Sequence, residues 1–361
     1  MDIRKFYYLL VAVFVGLSVN AQQNSDTLRL MFVGDIMSHK PQLASAYDAV
    51  TKQYDYTENY KYLTPIFHKA DFVFANLETT VGTKPYSGYP QFSAPIALVR
   101  AGKNAGITHF ATANNHSCDK RKRGIIGTLN VLDSLQVAHF GTYRNLQEKQ
   151  NNTPLLIQKN GFTLALLNYT YGTNGLPTPK PTVVNRIDKR LIKKDIEKAK
   201  TMHPDGIIVF LHWGNQYQNK ASKQQKDLAK WLHQQGVAMV IGSHPHVIQP
   251  ISIRIEKPTA LQQELTVYSL GNFISNQRTF PRAGSMIVVV QLIKNTDGKL
   301  KISKFETLPI WVYKYAENKK WHYEILPIEQ FKFNPVYFKK NTYYQDMMRY
   351  LMHYKRILAK K

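Results

Sequence analysis

Five apolar, strand-like runs in this 361-residue chain each end in a polar cluster. LRLMFV leads to Gly34-Asp35 with His39, DFVFA to Asn76-Leu77-Glu78, and ITHFATA to Asn114-Asn115-His116. GIIVFL leads to His212-Trp213-Gly214, and VAMVI to Gly242-Ser243-His244-Pro245-His246. Short apolar runs of this kind suit buried strands, and an open α/β sheet builds a site by delivering side chains to its strand ends. The groups delivered here are carboxylates, amides and imidazoles, with no thiolate. Such a donor set suits one or two ions of Mn, Fe or Zn. Calcium or magnesium fits three or four imidazoles poorly.

The stretches between the runs supply the helices of an α/β fold. Helical patterning is expected over 57–69, from Pro95 to before Gly106 with Ser93 as a cap, and over 124–136, 187–201 and 221–235. Residues 168–184, rich in Tyr, Gly, Thr, Asn and Pro, read as a long loop of the kind that often forms a lid. Later the rhythm changes. Strands are expected over 265–270, 286–292, 300–305, 311–315 and 321–326 without intervening helices, then a helix over 341–358. The simplest division is a segment 1–21, a main domain 22–300, and a C-terminal extension 301–361 packed on the core.

The N-terminus has Arg4 and Lys5, then an apolar run from Phe6 to Val19, then Asn20-Ala21-Gln22. This reads as a secretory signal peptide cut after Ala21, and implies export to the periplasm or cell envelope. An uncleaved membrane anchor is the alternative. The single cysteine, Cys118, excludes an internal disulfide and reads as a packed thiol. A net charge of +24 attracts anionic partners: an acidic polymer or peptide, or an anionic membrane surface. No zinc finger, recognition helix or single-strand-binding motif accompanies that charge, so nucleic acid is not the expected partner.

Asp35 is the leading ligand candidate, with capping of its turn as the alternative. His39, four residues on, either reaches the same ion or lies on the surface. Asn76 and Glu78 flank Leu77, so extended backbone points both side chains to one face. A two-oxygen carboxylate can bridge two cations, which marks Glu78, with Asn76 as a ligand, an orienting partner or a turn cap. An amide oxygen from Asn114-Asn115 is a weak neutral ligand that leaves an ion electrophilic. His116 can stay unligated and give a proton to a leaving group, while Asp119 orients it or opens the next helix. His212 ends an apolar strand, where an imidazole needs a reason. Trp213 is a candidate wall against a substrate. His244 and His246 are held two apart by Pro245, and strand alternation would put both rings on one side.

Taken together, six ordered segments resemble the CapA family of poly-gamma-glutamate capsule biosynthesis proteins, within the calcineurin-like metallophosphoesterase superfamily. They are FVGDIM (32–37), ANLETT (75–80), TANNHSCD (112–119), LHWGNQY (211–217), IGSHPHVIQ (241–249) and YSLGNFIS (268–275). The resemblance covers about residues 28–290 and implies a four-layer α-β-β-α sandwich of two mixed sheets. It also implies a binuclear metal site. Asp35 and His246 would hold one ion, with His39 as an additional ligand. Asn115, His212 and His244 would hold the other, and Glu78 would bridge. His116 would be the general acid, and Asn114, Gln216 and Asn272 would lie in the substrate-facing or outer shell. The sequence departs from the superfamily pattern at three points. Met37 stands where the first motif has histidine, Glu78 where the bridging residue is usually Asp, and Gln216 where the family often has Glu. Gln216 removes a negative charge from the cleft and favours an anionic ligand. The resemblance implies an exported, metal-dependent protein of capsule or cell-envelope polymer synthesis, export or processing. It would work beside the envelope-synthesis machinery, by hydrolysis or transfer at a phosphoester or amide centre. A non-catalytic polymer-binding protein and a gamma-glutamyl or peptidoglycan amide hydrolase are the alternatives.

Overall fold

The computed structural model describes residues 27–254, 263–296 and 298–359; the expected signal segment 1–21 lies outside them. Two sheets face each other. In the first, the strand Thr27–Ile36 lies between Phe72–Leu77 and Gly284–Lys294. On one side the order continues in parallel through His109–Ala111 to Ala138–Phe140. On the other it continues antiparallel through Leu300–Glu317 to Lys320–Pro327. The short strand Asn272–Ile274 pairs in parallel with the end of Thr27–Ile36. The second sheet has a parallel centre of Phe162–Thr170, Gly206–His212, Met239–Ser243 and Glu264–Val267, with the antiparallel edges Leu155–Lys159 and Ile251–Arg254.

Alternation within the apolar runs explains why they are apolar throughout: both faces are covered. Leu28, Leu30 and Phe32 face the second sheet, where they meet Leu164, Leu166, Ile208, Phe210 and Ile241 in one core. Met31, Val33, Val73 and Ala75 face outward under the helix Ile96–Ala105 and its neighbours. Ala165, Leu167, Val209 and Val240 face outward under Lys189–Lys200 and Lys223–Gln234. Helices, sheet, sheet and helices make the four layers that the metallophosphoesterase resemblance implies.

Several local expectations change. Residues 57–69 form a 3₁₀ turn, Thr57–Tyr60, and a short helix, Thr64–Phe67, rather than one helix. The helix at Ile96 has Pro95 as its cap; Ser93 instead pairs in a short strand and its hydroxyl bonds the Thr83 carbonyl. The runs 300–305 and 311–315 are one strand, Leu300–Glu317, that passes through Pro309. Pairing with Lys320–Pro327 begins only at Ile310, so Pro309 has an edge on that side, where a proline is tolerated. Residues 300–327 thus extend the first sheet. The helix Asn341–Leu358 seals the same inter-sheet core with Met347, Tyr350, Leu351 and Tyr354.

Candidate metal centre and cleft

The parallel strands of both sheets end at one edge, and the polar clusters meet there. Asp35 lies in register with Asn76 and with Asn272, its neighbours on either side. That alignment depends on Gly34: a Cβ there would lie 1.8 Å from the Gly271 carbonyl oxygen. Glu78 sits one residue beyond its strand, its N–H bonded to the Ile36 carbonyl at 3.0 Å. Asn168 of the second sheet accepts the Ala113 N–H at 2.7 Å and so fixes the turn that carries Asn114, Asn115 and His116.

His244 and His246 reach the site by a route that alternation did not foresee. The strand ends at Ser243, and both histidines have left-handed backbone, with φ of 98° and 59°. Non-glycine residues adopt that region at a cost, and they cluster where geometry serves a site. Gly242 lets the turn close, since a Cβ there would lie 2.0 Å from the Tyr268 carbonyl oxygen.

Asp35, Glu78 and His212 present donor atoms within 4.8 Å of one another, and so do Glu78, His244 and His246. Glu78 belongs to both groups, as a bridging residue would, but the histidines divide differently from the division the resemblance implies. Asp35 and His246 nevertheless touch, Oδ2 to Nδ1, at 3.1 Å. His246 Nδ1 also faces the Asn272 side-chain oxygen at 3.0 Å. Two acceptors on Nδ1 place the proton there and leave Nε2, 3.7 Å from Glu78, as the free donor nitrogen. His212 Nε2 lies 2.9 Å from Asn115 Oδ1, 3.1 Å from His244 Nδ1 and 3.5 Å from Glu78 Oε1. Asn76 donates to Asp35 Oδ1 at 2.8 Å and sits 3.3 Å from His212 Nδ1, an orienting position.

The electrostatics suit a cation. Asp35, Glu78 and His212 are all 0% exposed. Burial pushes His212 down to about 3 and His244 to about 2, so both are neutral nitrogen donors at ordinary pH. Burial and the neighbouring Asp35 charge push Glu78 up to about 8. Burial opposes the charge on Asp35, but the hydrogen bond and charge of His246 hold its carboxyl below the usual range. Among the described residues neither Glu78 oxygen has a hydrogen-bond partner. A buried carboxylate without hydrogen bonds is costly unless a cation compensates it, so these residues fit the divalent ions that the donor set suggests.

His39 takes no part in either group. Its Nδ1 sits 3.2 Å from Gln42 Oε1 and 3.3 Å from the Asn276 nitrogen, and its ring packs edge-on against Phe92. It lines the cleft wall instead, and burial pushes its imidazole down to about 4. Trp213 is not a wall against a substrate either. It is buried in the outer core of the second sheet, where its indole bonds the Tyr268 carbonyl at 2.9 Å. Asn114 is structural, donating to the Leu77 carbonyl at 2.7 Å. Cys118 is buried and free.

His116 stands beside the cleft with Nδ1 2.8 Å from Asp119 Oδ2, which also accepts the Phe92 N–H at 2.6 Å. This pairing holds the Nδ1 proton and leaves Nε2 as the nitrogen that exchanges a proton with a bound molecule. The cleft has a volume of about 970 Å³ and contains Asn115, His116, Gln216, His244 and His246. Its other walls include Tyr171, Tyr217, Arg278 and Arg282, which the sequence reading did not single out as site residues. Tyr171, the first residue beyond its strand, packs 4.6 Å from His244 and 6.3 Å from His212 between ring centroids.

The family model for the bacterial capsule synthesis protein PGA_cap matches residues 29–277. The PGA biosynthesis protein CapA of Bacillus subtilis (strain 168) is 30% identical over 292 residues, covering 78% of this chain and 72% of that protein. The capsule biosynthesis protein CapA of Bacillus anthracis is 28% identical over 294 residues, covering 78% and 67% respectively. Among solved structures, NAD nucleotidase of Haemophilus influenzae superposes with a TM-score of 0.52 at 11% identity, over 91% of this chain and 68% of that one. That last likeness is one of fold.

Proposed function

This chain belongs to the bacterial capsule synthesis protein PGA_cap family, and on that premise we propose that it is an exported metal-dependent hydrolase or transferase acting on a carboxylate-bearing polymer or peptide of the cell envelope. The observation that carries this reading is Glu78, fully buried, without a hydrogen-bond partner among the described residues, and shared by both donor groups. Asp35, Glu78, His212, His244 and His246, with Asn115 beside them, would hold one or two ions of Mn, Fe or Zn, which supply Lewis acidity and a nucleophile at neutral pH.

The chain's own residues then have separable tasks. Asn76 and Asn272 orient Asp35 and His246 through the hydrogen bonds described above. Asp119 holds the His116 ring so that Nε2 can protonate a leaving alkoxide or amine. Gln216, neutral where the family often carries a carboxylate, leaves the cleft open to a negatively charged ligand. Export is the reading of the N-terminal segment; no helix among the described residues is long and apolar enough to cross a membrane.

A second reading has a specific observation behind it. Met37 is buried at the cleft wall where the superfamily motif carries a histidine, which favours a polymer-binding cleft without turnover. Phosphodiesters, phosphomonoesters and gamma-glutamyl polymers assayed in parallel separate the two. Hydrolysis of one class is expected, with His116→Ala reducing turnover by about 10²- to 10⁴-fold at unchanged metal content. Equal rates for wild type and variant would remove the general acid. Tight polymer binding with no cleavage of any class would establish the second reading.

A further inference from the structure

The segment 275–283, between the strands Asn272–Ile274 and Gly284–Lys294, lines one wall of the cleft and carries two arginines, Arg278 and Arg282. Both lie past the span that the family model matches. Among the described residues no carboxylate lies within 4.0 Å of either guanidinium. Among the described residues Asp119 is the carboxylate on the cleft lining, and it already holds His116. Arg278 spends one of its five N–H donors on the Val312 carbonyl at 2.8 Å. Arg282 makes no side-chain hydrogen bond among the described residues; its guanidinium carbon lies over the Tyr217 ring, 3.4 Å from the centroid.

The position of Arg282 is built rather than incidental. Tyr217 is held by its N–H to the Pro245 carbonyl at 2.8 Å, between the two site histidines, and its ring lies 5.9 Å from that of His246. The carbonyl of Arg282 accepts the Asn272 amide at 3.0 Å, and the same amide group's oxygen faces His246. Arg282 is therefore tied from two sides to a residue of the metal centre. A guanidinium stacked on a ring loses little freedom when it binds, and its planar fork matches an oxyanion with two parallel hydrogen bonds.

We propose that Arg282, with Arg278 on the same wall, forms a subsite for a carboxylate of the substrate next to the group presented to the metal centre, and so selects an anionic chain over a neutral one. This rests on the reading of the cleft as the substrate site. Guanidinium recognises phosphate by the same fork, so the test distinguishes the two anions.

The probes are a gamma-linked glutamate oligomer and the same oligomer with its free carboxylates converted to carboxamides, titrated against protein of measured metal content. Arg282→Ala should weaken binding of the carboxylate oligomer by about 10- to 100-fold, and Arg282→Lys should recover only part of that loss. The carboxamide oligomer should bind wild type and Arg282→Ala alike. Arg190→Ala, which removes an exposed guanidinium from the helix Lys189–Lys200, should stay within about twofold of wild type. Equal losses for the Arg282 and Arg190 variants would show diffuse attraction and overturn the subsite, as would unchanged binding in Arg282→Ala. Inorganic phosphate that displaces the oligomer from wild type far better than acetate does, through Arg282 alone, would overturn the carboxylate assignment. Because binding is the readout, the result stands whether or not the oligomer is cleaved. Unchanged metal content in Arg282→Ala separates loss of this subsite from loss of the metal centre.

Discussion

Glu324, on the antiparallel strand Lys320–Pro327, is buried against two tyrosines: Tyr315 donates to its Oε1 at 3.2 Å and Tyr337 to its Oε2. Glu78, one residue past the parallel strand Phe72–Leu77, is buried more deeply, and among the described residues neither of its oxygens is satisfied. The difference follows from how the two regions are made. Antiparallel neighbours and the aromatic segment after them close around Glu324 and meet its needs locally. Parallel strands end together, so carboxylates and imidazoles from distant parts of the chain converge with no guarantee of mutual satisfaction. The first region is a core that tolerates an acid. The second is a donor set that waits for a cation.

Exchanging each carboxylate for an amide should break this symmetry most strongly. Glu78→Gln removes the donor common to both groups and should weaken metal affinity more than 100-fold, beyond the range typical of outer-shell losses. Glu324→Gln should leave affinity within about twofold of wild type. Stability should respond in the opposite order. Above about pH 8 chelated Glu78→Gln should be at least as stable as chelated wild type, because a neutral amide replaces a buried charge. Glu324→Gln should lose about 1–2 kcal/mol, because one of the two oxygens that accept from its tyrosines becomes an NH2 group. Denaturation with and without chelator, alongside metal analysis, checks both; equal metal loss in the two variants would end the contrast.

The pH response sharpens it. Glu78 has a folded pKa of about 8, above the ordinary carboxyl value of 4.5, because of burial and the Asp35 charge. Between those values the metal-free folded state binds more protons than the unfolded state, so the stability Glu78 contributes is present below the lower value and lost as pH rises through about 8. Metal must displace the same proton, so affinity should climb about tenfold per pH unit from 6 and level off above about 8. His212 and His244, pushed down by burial to about 3 and about 2, do not compete in that window. Melting temperatures between pH 5 and 8 should therefore fall without metal and stay nearly level with saturating metal, because Glu78 is then ionised in both the folded and the unfolded state. Parallel slopes would mean that Glu78 is not the titrating ligand.

The sequence reached the convergent region further than the closed one, for a physical reason. A polar cluster after an apolar run is a local signal, and it placed Asp35, Glu78, Asn115, His116, His212, His244 and His246 at one edge. It could not tell His39 from a ligand, because the Gln42 and Asn276 contacts that occupy Nδ1 depend on a helix start and a distant loop. It misread Trp213, whose neighbour His212 points inward while the indole points to the outer core, as alternation along an emerging strand allows. Arg278 and Arg282 gave no signal in a chain with so many basic residues. In the closed region, Glu324 and its tyrosines come from separate elements, and nothing in their spacing announces the cluster.

Asn272 links the two kinds of region, since its strand pairs with Thr27–Ile36 while its amide reaches the Arg282 carbonyl at 3.0 Å. Asn272→Ala should free His246 to turn and cost about 10- to 100-fold in metal affinity, together with about 1–3 kcal/mol of stability in the chelated protein, because its buried bonds to Gln277 and the Arg282 carbonyl are lost as well. Asn272→Asp, which keeps an acceptor for His246 Nδ1, should recover much of that affinity. Equal losses in both variants would assign Asn272 to the packing of its loop instead.

The smallest expected effect tests whether an unsatisfied buried group always marks a site. Tyr350, on the helix Asn341–Leu358, is 0% exposed, and its hydroxyl has no hydrogen-bond partner among the described residues. Its ring lies where a Cβ on Gly284 would stand, 2.4 Å away, and packs 5.6 Å from Trp311 between centroids. Unlike Glu78 it belongs to neither donor group and lies in the apolar inter-sheet core, so its hydroxyl is a by-product of a ring chosen to fill space. Tyr350→Phe keeps that packing and removes the unpaired group, and should be neutral or stabilising by about 1 kcal/mol, with unchanged metal content. A loss of more than about 1 kcal/mol would show that the hydroxyl is satisfied after all. The distinction between the two regions would then rest on charge alone, because a buried carboxylate would still demand a cation where a buried phenol demands only room.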